Sequence, residues 1–251
     1  MLHIPILRTR RLTVQLRELT IGESIALANM PPNQFEAECT SFLRKAVDSV
    51  KGIPDPADWT VQERMLAVCQ YLAATLPGGP DFPVGDGHYS DYLDGAKDYP
   101  PDEFVDAGEV GGDKWMVRHL TGAMAETIER LEGEVEGADG RLHWMLGCMA
   151  AQLVMVGEDV ISPSNGEGVF DEFVVGRMRT LLAYPENDFT LMLIAFSESR
   201  KKLDHLFHID YTKDGLVALP KGGDATELPP ARFPVGHCLS KLAKELARKP
   251  E

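Results

Sequence analysis

The sequence predicts an α+β fold, mainly α-helical, with two similar strand–helix–helix–helix units followed by a C-terminal helix, a β-hairpin and a short helix. Three observations predict it. Apolar residues recur at helical spacing over most of the chain, two strand-like segments share the ending Arg-x-Leu-Thr, and a hairpin signal stands near the C-terminus. The expected divisions are a first unit at 1–80, an acidic connection at 81–113, a second unit at 114–186 and a tail at 187–251.

Leu12, Val14 and Leu16 alternate with Thr13, Gln15 and Arg17, the period-2 pattern of a half-buried strand. Thr20 and Glu23 form a capping box that starts a helix running to about Met30, where Pro31-Pro32 ends it. Asn33 is expected to cap the next helix, with Phe35, Cys39, Phe42, Leu43, Ala46, Val47 and Val50 on its apolar face. Gly52, Pro54 and Pro56 stop that helix. Thr60 and Glu63 make a second capping box, and the third helix turns Val61, Met65, Val68, Cys69 and Leu72 inward before Pro77-Gly78-Gly79-Pro80.

From Asp81 to Asp113 ten acidic residues face one base, Lys97, so this stretch reads as a long acidic connection with one helical turn near Ser90–Leu93. The first pattern then returns. Trp115–Thr121 parallels Val14–Thr20, and helices are expected near 122–134, 141–156 and 170–184. Arg64-Met65 is matched by Arg177-Met178, and Asp81-Phe82 by Asp188-Phe189. A true duplication places Leu16 and Val117 in the core, with Arg17 and Arg118 at matching positions. In the tail, a helix from about Asn187 to Leu206 precedes two strands, 207–211 and 216–219, that flank Asp214-Gly215. A basic amphipathic helix spans His237–Lys249.

Acids outnumber bases 39 to 25, and the net charge of −14 argues against a reader of nucleic-acid phosphates. Cys39, Cys69, Cys148 and Cys238 are isolated and far apart, so no zinc knuckle or disulfide framework is suggested; the reversed charge order of the first twelve residues for a signal peptide leads to the expectation of a cytoplasmic chain with reduced thiols. The longest uncharged runs, Met65–Pro80 and Leu142–Gly157, fall short of the ~20 residues a bilayer span needs, so no membrane association is expected.

Chemistry has few footholds. His205, His208 and Asp210 have metal-like spacing, which would serve a metal-dependent hydrolase, but a helix–strand boundary between the histidines turns their rings apart. Gly87–Tyr92 holds His88, Ser90 and Asp91 in one extended run, whereas a nucleophilic triad converges from separate elements. No calcium loop, phosphate loop or nucleophile elbow occurs, and Met145, Met149 and Met155 read as core. The expectation is therefore no catalytic residue, cofactor or metal. Within the acidic connection, Asp102, Glu103, Asp106 and Glu109 are the candidate partner-binding residues, able to complement a basic surface.

Residues 11–28, with Leu12, Leu16, Arg17, Glu18, Thr20, Gly22 and Glu23 at the matching positions, resemble the opening of tail assembly chaperones from tailed bacteriophages. Those proteins begin with a strand reading Leu-x-x-Leu-Arg-Glu, a Thr-x-Gly-Glu turn and an amphipathic helix; here the two leucines stand one residue further apart. The chain is longer than the small chaperones of Mu-like phages and nearer in size to the baseplate-hub chaperones of contractile tails. The resemblance implies a non-enzymatic protein of tail or baseplate assembly. Its partners would be other tail or baseplate proteins, and it would act in the host cytoplasm or remain in the virion as a structural subunit.

Overall fold

The computed structural model describes residues 3–94, 98, 102–222 and 227–247. The fold is α+β and mainly helical, as the patterning predicts. Its first part is the hairpin β1 (Leu7–Arg8) and β2 (Thr13–Leu16), helices α1 (Ile21–Ala28) and α2 (Phe35–Ala46), strand β3 (Val47–Lys51) and helix α3 (Val61–Thr75). The strands form an antiparallel sheet in the order β1-β2-β3, with Val14 opposite Val50 and Leu16 opposite Val47.

The second part repeats that order. A hairpin of β6 (Phe104–Val110) and β7 (Asp113–Arg118) leads to α4 (Gly122–Arg130) and α5 (Gly140–Gln152), then β8 (Leu153–Met155) and α6 (Glu167–Leu182). The sheet order is again hairpin then returning strand, β6-β7-β8, and Val117 lies opposite Leu153 as Leu16 lies opposite Val47. Leu16 and Val117 are both in the core. Between the two parts stand the short strands β4 (Pro83–Val84) and β5 (Gly87–His88) and a 3-10 turn at Tyr89–Asp91, the turn the sequence indicates. Helix α7 (Glu186–Lys202), the hairpin β9 (His208–Thr212) and β10 (Gly215–Leu219), and helix α8 (Lys241–Ala247) complete the chain. The expected end of the basic helix, at Arg248 and Lys249, lies outside the described residues, as does Lys97.

Three expectations are corrected. The acidic connection is not a loop throughout, because residues 104–110 form a strand that pairs with β7 on both sides of a bulge at Ala107. Two strands were hidden inside predicted helices: β3 and β8 each follow their helix with no intervening residue, and Val47 and Leu153 are the helix C-caps in extended conformation. Cross-strand pairing to β2 and β7 overrides helical spacing there. Asn33 does not cap α2. The N-cap position is Gln34, which makes no side-chain cap bond, and the first turn is held by a carboxylate from α4.

Both capping boxes form as the sequence predicts. Glu23 closes on the Thr20 amide at 2.8 Å while Thr20 accepts from the Glu23 amide, and Thr60 with Glu63 does the same inside the core. Glu63, fully buried, also accepts a two-pronged bond from Arg11, which ties the β1–β2 hairpin to α3. Gly52 passes so close to that hairpin that a Cβ there would lie 2.0 Å from the Arg11 carbonyl oxygen, and its φ of +110° suits glycine alone.

In the second unit the N3 position holds Met124, so Thr121 makes only its single 3.4 Å bond. Thr20→Ala is therefore expected to cost about 1 kcal/mol and Thr121→Ala about half as much. Denaturant midpoints of the two variants check this; a larger loss at Thr121 would mean the box contributes nothing beyond one hydrogen bond.

Candidate functional site

The acidic residues singled out from the sequence lie on or beside the outer strand β6. Asp102, Glu103, Asp106 and Glu109 are exposed, and Asp106 faces Lys114 at 3.7 Å and accepts the Gly108 amide. Glu109 stands opposite Lys114 in the ladder. The metal-like trio is dispersed. His205 is buried with its ring on the Thr60 hydroxyl at 3.2 Å and the Leu203 carbonyl at 2.9 Å, His208 pairs with Asp204 and Asp94, and Asp210 with Arg200. Among the described residues no three His, Cys, Asp or Glu side chains are placed to hold a metal. In the segment 87–92, His88 and Ser90 are exposed, Ser90 bonds Asp81 and Tyr89 stacks on Phe82 at 5.1 Å. These contacts describe a packed turn.

Two other places have more structure than the sequence indicated. The first is the seam between the units. Thr60 and Thr121, the caps of α3 and α4, sit side by side in an antiparallel bridge, with Val61 donating to the Leu120 carbonyl and Gly122 to the Trp59 carbonyl. Beside them Arg64 of α3 is 1% exposed. Its Nη2 donates to the Glu36 carbonyl at 2.6 Å, and its Nη1 lies 3.5 Å from the Glu36 carboxylate and 3.9 Å from that of Glu126. Among the described residues neither Nε nor Nη1 has an oxygen or nitrogen acceptor. The guanidinium packs on Gly122, where a Cβ would come within 2.0 Å of Nη1. Glu126 also accepts the Thr40 hydroxyl, and Glu129 accepts the amides of Glu36 and Ala37 at 3.0 and 3.2 Å. A carboxylate from the second unit thus caps a helix of the first, where the helix dipole favours negative charge. Burial, with Glu36 adding to it, nevertheless pushes the Glu129 carboxyl up to about 7. The seam opens into a cavity of about 70 Å³ lined by Arg64, Met65, Trp144, Arg232 and Phe233.

The second place is a groove of about 420 Å³ between the β7–β8 strands and α6. Trp115, Leu153 and Met155 form one wall, and Phe173, Leu181 and Tyr184 the other. The Arg177 guanidinium lies 4.7 Å from the Phe173 ring centre, donates to the Leu153 carbonyl and pairs with Glu158. Asp113 and Glu172 sit at the rim, and Val156 and Leu182, neighbours in sequence of the lining residues, are 53% and 41% exposed.

Comparison of the chain with protein-family models, with curated proteins and with solved structures finds no match.

The titrations at this seam run in opposite directions. The raised Glu129 carboxyl favours the folded state fully below its ordinary pKa near 4.5, and that contribution is lost as pH rises through about 7. The His119 and His205 rings, with centres 5.3 Å apart, are both held neutral by burial, His119 down to about 3. Their contribution is complete above pH 6.5 and is lost as pH falls toward 3. Glu129→Gln should therefore gain about 1 kcal/mol on the wild type between pH 5 and pH 8, after discounting for solvent screening. His119→Gln should narrow the loss of stability between pH 6.5 and 4. Unfolding midpoints across pH 4–8 check both signs, and parallel curves for all three proteins would remove these groups from the linkage.

Proposed function

We propose that this chain is a bacteriophage tail or baseplate assembly protein that acts by chaperone-like binding and not by catalysis. The observation that carries the proposal is the groove walled by Trp115, Met155, Phe173, Leu181 and Tyr184. Its volume lies at the lower end of the roughly 300–1,000 Å³ range of ligand-sized clefts, and its walls are mostly apolar. An open apolar surface suits a protein that holds aggregation-prone segments until assembly. The net charge of −14 offsets the solubility cost of that surface. The strand–cap–helix opening at 11–28, with its Thr20–Glu23 box, is consistent with the same reading.

Asp102, Glu103, Asp106 and Glu109 are proposed as a charged flank that attracts a basic client, with an effect mainly on the association rate that weakens as salt rises.

The test is coexpression with bacteriophage tail and baseplate proteins. The wild type should raise the soluble yield of at least one of them several-fold, and Phe173→Asp, which puts a charge in the groove, should abolish the gain. Equal yields with and without the chain would overturn the proposal. Mass spectrometry of purified virions then separates a chaperone, absent from the particle, from a permanent tail-tip or baseplate subunit.

A further inference from the structure

The seam cavity is distinct from the groove: its walls come from α2, α3, α4, α5, the β9–β10 turn with the start of β10, and the Arg232–Val235 stretch, and no residue lines both. Its chemistry defines an occupant. Arg64 is buried, lines the cavity, and among the described residues its Nε and Nη1 find no oxygen or nitrogen acceptor, the Cys39 thiol on the same wall offering only a weak sulfur one, which is costly for a charged group away from water. The charge around it is already compensated. Arg64 and Arg232 face Glu36, Glu129 and Asp214 on the walls, with Glu126 behind Arg64. Burial raises the Glu36 and Glu129 carboxyls, Glu129 to about 7; above that pH an added anion would meet three carboxylates and an added cation two guanidinia. A neutral group offering a carbonyl to Arg64 and an N–H to one of those carboxylates meets neither penalty. The remaining walls, Phe35, Met65, Trp144 and Phe233, are apolar and aromatic. The volume of about 70 Å³ is that of roughly two liquid waters, enough for one short aliphatic side chain. Phe35, 37% exposed with the Arg232 guanidinium 5.0 Å from its ring centre, is the most exposed of the aromatic walls.

We propose that this cavity is an anchor site for a peptide segment, enclosing one aliphatic side chain while the uncharged main-chain amide beside it stays at the open mouth. The inference stands on the cavity alone and goes beyond the assembly reading.

The probe is N-acetyl-Gly-Leu-Gly-amide, titrated into the purified full chain and followed by saturation-transfer NMR and by calorimetry. N-acetyl-Gly-Asp-Gly-amide and sodium acetate serve as comparison ligands. Saturable binding of the leucine peptide is expected, with the aspartate peptide and acetate at least about tenfold weaker. Met65→Trp, which fills the cavity from a partly exposed wall position and leaves Arg64 in place, should weaken the leucine peptide by about tenfold or more. Arg64→Met should do the same, and circular dichroism and the unfolding midpoint establish that each variant is folded. Phe173→Asp should bind the peptide as the wild type does, so a failure here is separable from a failure of the coexpression test. No saturable binding by the wild type, unchanged binding by folded Met65→Trp, or acetate binding as tightly as the leucine peptide would each overturn the proposal.

Discussion

A guanidinium buried to 1% exposure is the constraint on which the association of the two units depends. Arg64 keeps its charge in any folded state, and a buried charge is tolerated only where opposite charge and hydrogen-bond acceptors meet it. Helix α2 supplies the Glu36 carbonyl and carboxylate, and α4 supplies Glu126. Since α2 belongs to the first unit and α4 to the second, one arginine requires both units to be in place. The Thr60–Thr121 bridge sets the separation of the α3 and α4 starts, and Glu129 fixes the start of α2 against the end of α4. Each contact uses a helix terminus, where backbone groups lack intrahelical partners. The units therefore join through the polar ends of helices in addition to one apolar core that runs continuously through both.

The repeated topology shows how one framework accommodates different chemistry. Arg17 and Arg118 each close the central strand of their sheet. Arg17 meets Glu23 of the capping box at 2.7 Å, and that pairing helps hold the Glu23 carboxyl down to about 2. At the corresponding box position the second unit has Met124, and Arg118 instead donates to the carbonyls of Ala151 and Ile161. Burial without a close carboxylate lowers Arg118 to about 10. The third-helix arginines diverge as well. Arg64 is consumed at the seam, and Arg177 lies over Phe173 at the open groove. Loss of a single glutamate from the box thus frees one arginine from ion pairing and redirects it to the backbone.

Much of this fold is legible in the residues because its signals are local. Thr20 with Glu23 and Thr60 with Glu63 mark two helix starts within four residues, and the alternation of Val14 and Leu16 marks the central strand. The tail hairpin is found within one residue of its strands, with the turn at Lys213-Asp214 and Gly215 already in β10. What escapes is set by distant contacts. The α2 cap comes from Glu129, 93 residues beyond Glu36, so Asn33 looked like the better candidate. Val47 and Leu153 continue helical patterns and become strands only because β2 and β7 await them. Seven residues of β6 read as connection because they lie in a stretch of ten acids rich in Gly and Pro, although Phe104, Val105 and Val110 are strand formers. The Arg64 cavity gave one faint sign, the Arg-Met pair shared with 177–178, and nothing in that pair reveals burial.

The arginines also determine how this surface can engage another chain. Arg11, Arg17, Arg118, Arg177 and Arg200 are committed to carboxylates or carbonyls of the chain itself, which leaves few of these cations to meet a partner's acids. The outer strand β6 would be the natural place for a foreign strand to add. Its backbone is poorly suited to that, because a bulge between Asp106 and Gly108 breaks the ladder and Ser199 of α7 occupies the Asp106 carbonyl at 3.1 Å. Exposed acids along the same strand add the charge that protects sheet edges from pairing. Main-chain augmentation is thus discouraged where it would be easiest. Apolar concavities remain open beside α6 and at the seam, lined mostly by apolar side chains. Association by insertion of side chains, steered by acidic surroundings, is the mode this architecture favours.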